Sequence, residues 1–208
     1  PAGRTADFQY YVSSDTRLEL RGGRCETYGH FRGALGYSNC NISYIQSGGE
    51  VFVAAPNVPT EKPGLDITGK EFQMTGGELV YAGAGAPESV GDVVINAHTS
   101  TISGGTIRLT GNGATPRSLS MVSNTPLYNL SCEGTNLQVR VLRQAFSVRN
   151  QLHIAATSTF TADGLDLFLG GELLCNGRFW AKNNQTTFDG TTLQRLSGTG
   201  AQCDFHNL

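Results

Sequence analysis

Apolar and polar residues alternate with a period of two along most of the chain, in runs of about four or five residues bounded by Gly, Asn, Thr and Pro. Val51-Phe52-Val53, Leu65-Asp66-Ile67 and Val93-Val94-Ile95 are typical. Alternation of this kind predicts strands, because successive side chains on an extended backbone point to opposite faces. Only Val139–Val148 suggests a helical spacing, and it reads equally well as a strand. The chain is predicted to be nearly free of helix.

The alternating runs recur. Gly-Gly pairs stand at Gly48-Gly49, Gly76-Gly77, Gly104-Gly105 and Gly170-Gly171, the first three 28 residues apart. Their flanks agree: Gln46, Met74, Ile102 and Phe168 lie two residues before each pair. Val51, Leu79, Ile107 and Leu173 lie two after it. Leu65 and Ile67 map onto Val93 and Ile95 at the same offset. A Gly-Gly between alternating runs is a sharp corner, since Gly reaches positive φ without steric cost. One such unit leaves its apolar face uncovered, and stacking it on a copy of itself buries that face. The expectation is an all-β, right-handed parallel β-helix with coils of about 28 residues. A pair of small β-sandwiches is the alternative; it accounts for the turns but not for the fixed offset. Residues 1–43 read as N-terminal coils or an adapter, 44–125 as regular coils, and 126–208 as a second block continuing beyond the last residue. The interval of 66 from Gly104 to Gly170 is not a multiple of 28, and predicts insertions, longer coils or a block boundary in between.

Composition agrees with a solenoid. Only 15% of the 208 residues are charged, and 27 are Gly. A net charge of −2 gives no electrostatic reason to expect nucleic acid as a partner. No run of 18 apolar residues is present, so no membrane-spanning helix is expected. The first residues contain neither an initiator Met nor an apolar signal segment, and the alternation runs to the last residue. The expectation is a segment of something longer. Of the five cysteines, Cys25 and Cys40 are the candidate disulfide, and none has zinc-site spacing.

Leu127-Tyr128-Asn129-Leu130 recurs as Phe205-His206-Asn207-Leu208, and Thr187-Phe188-Asp189-Gly190-Thr191 precedes Gln194-Arg195-Leu196-Ser197-Gly198. With Ser103–Gly111, these strings resemble modules of very large secreted surface proteins of Bacteroidota. The resemblance implies a β-solenoid, export by the type IX route, and a role in adhesion or surface structure, gliding adhesins included. It carries over no functional residue, because the matching residues are structural.

Chemistry is sparse. Asp92, Asp163, Asp166 and Asp189 are the acidic residues that a polysaccharide-cleaving β-helix would use, but Asp163-Gly164-Leu165-Asp166 also suits a plain turn. No acidic set has the spacing of a calcium site. His30, His98, His153 and His206 lack a neighbouring nucleophile motif, and are read as neutral surface or turn residues. The Thr strings at 99–101 and 157–161 are too isolated for an ordered ladder, and Asn41, Asn129 and Asn184 begin formal glycosylation triplets. Trp180 with Lys182 is the candidate ligand contact. The expected function is a non-enzymatic structural or adhesive segment of an extracellular, cell-surface protein, a stiff stalk without cofactor or metal. Its expected partners are neighbouring coils, other surface proteins and surface glycans. The competing expectation is a carbohydrate-binding or carbohydrate-cleaving β-helix.

Overall fold

A computed structural model describes residues 7–11, 16–34, 41–56, 63–83, 91–111, 117–199 and 202–207. In chain order its strands are β1 (Phe8–Tyr10), β2 (Thr16–Leu20), β3 (Arg24–Thr27), β4 (Phe31–Gly33), β5 (Ile42–Gln46), β6 (Glu50–Val53), β7 (Leu65–Tyr81), β8 (Val93–Gly111) and β9 (Arg117–Ser123). There follow β10 (Leu127–Gly134), β11 (Leu137–Val141), β12 (Phe146–Ile154), β13 (Thr159–Thr161), β14 (Leu167–Leu169), β15 (Glu172–Cys175), β16 (Arg178–Trp180), β17 (Thr186–Phe188), β18 (Leu196–Ser197) and β19 (Gln202–Asp204). No helix occurs among the described residues, so none is long and apolar enough to cross a membrane.

Every strand pairing among the described residues is parallel, and the strands stack as a β-solenoid of about 7 turns of roughly 24 residues. The chain visits three faces in each turn. Face one carries β1, β4, the starts of β7 and β8, then β9, β11, β13, β16 and β19. Face two carries β2, β5, the middles of β7 and β8, the starts of β10 and β12, then β14 and β17. Face three carries β3, β6, the ends of β7 and β8, β10, the end of β12, β15 and β18. The described strands before residue 34, β1 to β4, thus enter the same ladders as the rest.

The register explains the core. On face three, Cys25, Val51, Leu79, Ile107, Leu130, Leu152, Leu173 and Leu196 form one column pointing inward. Its middle members are fully buried, whereas Leu196 in the last layer is 57% exposed. Each interior residue is shielded by its equivalents one layer below and one above. Eight layers about 4.8 Å apart make a rod of roughly 35 Å.

The same column corrects the period. Its successive offsets are 26, 28, 28, 23, 22, 21 and 23 residues. The 28-residue spacing belongs to two consecutive coils that carry long connections from face three to face one. Eleven residues separate Val53 from Leu65, but only two separate Gly134 from Leu137. The interval of 66 is therefore three shorter coils, reached through Thr106, Asn129, Gln151 and Glu172. Another correction concerns the tetrapeptide repeat. Leu127 stacks on Val148 in the face-two ladder, while Asn207 bridges to Gln185, ahead of that face. The two strings are not equivalent positions of a coil.

The glycine column is real. An added Cβ at Gly76 would meet the Ser47 carbonyl oxygen at 2.5 Å, and one at Gly48 or Gly104 would likewise collide with the backbone of the coil beneath. Gly22, which the sequence pattern leaves outside the repeat, is the lowest member of this column. Gly23, Gly49, Gly77 and Gly105 beside it all have φ between 70° and 84°, the left-handed region. Backbones approach too closely at this corner for any side chain, which is why Gly recurs there.

Candidate functional site

Three surface regions concentrate polar chemistry. The first lies on the outer side of face one in the last coils, where Arg140, Trp180 and Asp204 share one column with Thr161, which is itself fully covered. The adjacent column holds Gln138, Thr159, Arg178 and Gln202. The Arg178 guanidinium carbon lies 4.8 Å from the centre of the Trp180 ring, and Lys182 Nζ lies 5.1 Å from it. Lys182 also donates to Asp163, which accepts a second bond from Arg140. Arg178 reaches Asp204 at 3.4 Å. Asp163 and Gly164 both adopt positive φ at the turn after β13, which swings the carboxylate between the two cations. The Arg140 guanidinium first, and Lys182 second, hold the Asp163 carboxyl below its ordinary range.

Trp180 and Lys182, singled out from sequence, are thus neighbours, and Trp180 is 37% exposed. Two cations lie over its ring, and Lys182 is held by Asp163. Cys25 is half buried on β3, and Cys40, its expected partner, lies outside the described residues.

The second region is the outer side of face three. Arg24 bridges Glu26 and Glu50 at 2.7 and 2.9 Å, and Arg108 reaches Glu78 at 2.7 Å. Higher up, Ser131 Oγ donates to Glu133 Oε1 at 2.5 Å and lies 2.9 Å from His153 Nδ1. Glu133 Oε1 is 3.7 Å from that same nitrogen. A nucleophilic triad needs the base to take the serine proton on one ring nitrogen while the other is held by the carboxylate. Here serine and carboxylate crowd one nitrogen, and the serine proton already points at Glu133. The arrangement ties β10 to β12 across one layer. Gln151 Nε2 and Ser197 Oγ bind Glu172 at 2.7 and 2.6 Å, extending the polar ladder upward.

The third region is an open groove of about 550 Å³ beside face two, lined by Pro126, Tyr128, Arg149, Asn150, Asp189 and Thr192 among others. Arg149 Nη1 donates to the Ile102 carbonyl at 2.8 Å, which anchors the guanidinium at the groove wall. Asn150 Nδ2 donates to Asn129 Oδ1 at 2.7 Å. Asp189 is exposed.

The four aspartates do not converge. Asp92 is buried, accepting from the Ser120 amide at 2.6 Å and its hydroxyl at 3.0 Å. Asp166 accepts from the Gln185 amide at 3.2 Å, Asp163 belongs to the Trp180 cluster, and Asp189 to the groove. Among the described residues no three His, Cys, Asp or Glu side chains group as metal ligands. His98 and His206 are exposed as expected, but His30 is not a surface residue. It is 5% exposed, with Nδ1 3.0 Å from Asp7 Oδ1. Sequence reasoning missed the Arg140–Asp163 and Ser131–His153 contacts. They span 23 and 22 residues, the true coil length in that region, so a 28-residue template could not align them.

No family model matches this chain, and no curated protein or solved structure matches it either.

Proposed function

We propose that the chain is a non-enzymatic structural segment of an extracellular surface protein, a stiff spacer whose corners and edges are available for adhesion. The observation that carries this reading is the continuity of the columns: the same position on face three is apolar through all eight layers and fully buried from Val51 to Leu173. Parallel ladders along the rod axis resist bending, because bending would open hydrogen bonds and inward contacts in every layer together. The sequence resemblance to secreted surface proteins supports the location. Antibody labelling of intact cells that produce the protein tests it, together with attachment by cells lacking the segment. Surface labelling and an attachment defect, rescued by an unrelated solenoid of equal length, are expected. Absence of the antigen from the surface overturns the reading.

A second reading is carried by the groove, which unites an aromatic ring, an arginine, an amide and a carboxylate at Tyr128, Arg149, Asn150 and Asp189. That is the side-chain vocabulary of polysaccharide recognition. Incubation with neutral and acidic polysaccharides, with and without calcium, separates the two. New reducing ends or unsaturated products, abolished by Asp189→Asn, favour a cleaving enzyme, and saturable binding without products favours a lectin-like rod.

A further inference from the structure

The last described coil, residues 186–207, covers its apolar residues only in part. Its inward residues Phe188, Cys203 and Phe205 are only partly buried, Leu193 and Leu196 are exposed, and β18 contributes two residues of strand. Two cysteines meet at this layer. Cys175 ends β15, faces the core and is 2% exposed, with its sulfur 3.6 Å from the Gly177 carbonyl at the corner. Four residues further along the same coil stands Phe179, and Cys203 of the next layer pairs directly with Phe179. Cys203 therefore sits one layer above Cys175 and diagonally across the corner. The layers are in close approach here, since a Cβ at Gly198 would collide with the Cys175 carbonyl. Register thus sets the two cysteines in neighbouring layers on either side of one corner; burial first, and the Cys203 thiol second, push the Cys175 thiol up to about 12. Cys203 is half buried on β19, the last face-one strand among the described residues. Cys132, by contrast, is fully enclosed, and burial pushes its thiol up as well.

We propose that Cys175 and Cys203 form a disulfide that staples the final coil to the one beneath it, closing a loop of 28 residues. The oxidant is a small-molecule disulfide. The more accessible Cys203 attacks it as thiolate, releasing one thiol and leaving a mixed disulfide. Cys175 then attacks the Cys203 sulfur, its proton passing to the departing thiolate, and the second thiol is expelled. Two protein thiols are oxidised and one disulfide is reduced to two thiols, so atoms and electrons balance. A cross-link acts mainly by constraining the unfolded chain, and its local effect is read where the structure opens most readily. The chemistry does not depend on the cell-surface reading, because it is tested on the isolated protein.

The test uses the purified 208-residue chain, incubated with oxidised glutathione, alkylated and digested for mass spectrometry. A peptide linking Cys175 to Cys203 is expected, with Cys132 still reduced. Hydrogen exchange of the β17–β19 amides should slow by about an order of magnitude on oxidation, with little change in the coils below. Cys203→Ser and, separately, Cys175→Ala should abolish this slowing while matching the reduced wild type in the lower coils. A Cys203 that stays reduced, stops at the glutathione adduct or links to another cysteine overturns the proposal. So does a linked protein whose last strands exchange as fast as before.

Discussion

At the scale of single residues, the corner glycines and Asp163 show how position decides the worth of a side chain. Gly22 and Gly76 occupy the same column, yet an added Cβ meets nothing within 4 Å at Gly22 and the Ser47 carbonyl at 2.5 Å at Gly76. Gly76→Ala is expected to lower stability by about 2 kcal/mol, whereas Gly22→Ala should stay within about 0.5 kcal/mol of wild type. Urea midpoints of the two variants make the comparison, and equal midpoints would refute a steric column. Asp163 gives a pH signature. Its folded-state pKa lies below the ordinary value of 3.8, so folding favours the ionised form. That contribution is present above the ordinary value and disappears as pH falls through the depressed one. Asp163→Asn should therefore cost about 1 kcal/mol near neutrality, and the difference from wild type should shrink in acid. A difference that grows as the pH is lowered would contradict the assignment. The corner glycines were legible in the sequence, because only Gly tolerates that approach and its spacing is visible. The ion pairs on Asp163 were not, because they join residues of different coils, and their pairing follows from register alone.

At the scale of elements, the aromatic rings show what a coil contributes. Phe160 is fully buried, stacked on Phe179 with ring centres 6.1 Å apart and packed against Phe146 at 6.5 Å. Phe205 sits at the end of the same file, 5.0 Å from Phe179 and only partly covered. Phe160→Ala should cost about 3–5 kcal/mol, and Phe205→Ala less than half as much. Calorimetric melting of both variants checks this, and comparable losses would mean that the last layer is covered as well as the interior ones. Strand positions were readable from alternation, since a period of two has the same meaning in every coil. Coil length was not. Connections of similar length in two successive coils made 28 look like a constant, although the inward columns preserve face and order while the loops vary. Once that length is misjudged, every cross-coil partner from Asn129 upward is assigned wrongly.

At the scale of the molecule, the rod has two kinds of surface. Its sides present paired strands, whereas β18 and β19 pair on one side only among the described residues, and β17 is met on its second side only at Thr186, which donates to the Asn207 carbonyl. Open edges of this type recruit other strands. The 208-residue chain should accordingly self-associate with rising concentration in light scattering, and charged substitutions at exposed Leu193 and Leu196 should reduce the effect. A strict monomer at high concentration would argue that the final layer is already shielded. The fold was legible at this scale because repetition is a property of the whole chain. The role was not, since a scaffold built from backbone ladders leaves few side chains whose chemistry names a task.

The varying offsets along the face-three column have an evolutionary consequence. Excision of one interior turn, such as residues 130–151, would set Leu152 upon Ile107 with its neighbours still facing as before. Gene segments encoding single turns are thus interchangeable whatever their individual lengths. Reach is then free to drift by insertion or loss of turns, each step altering it by about 5 Å while the architecture stays the same.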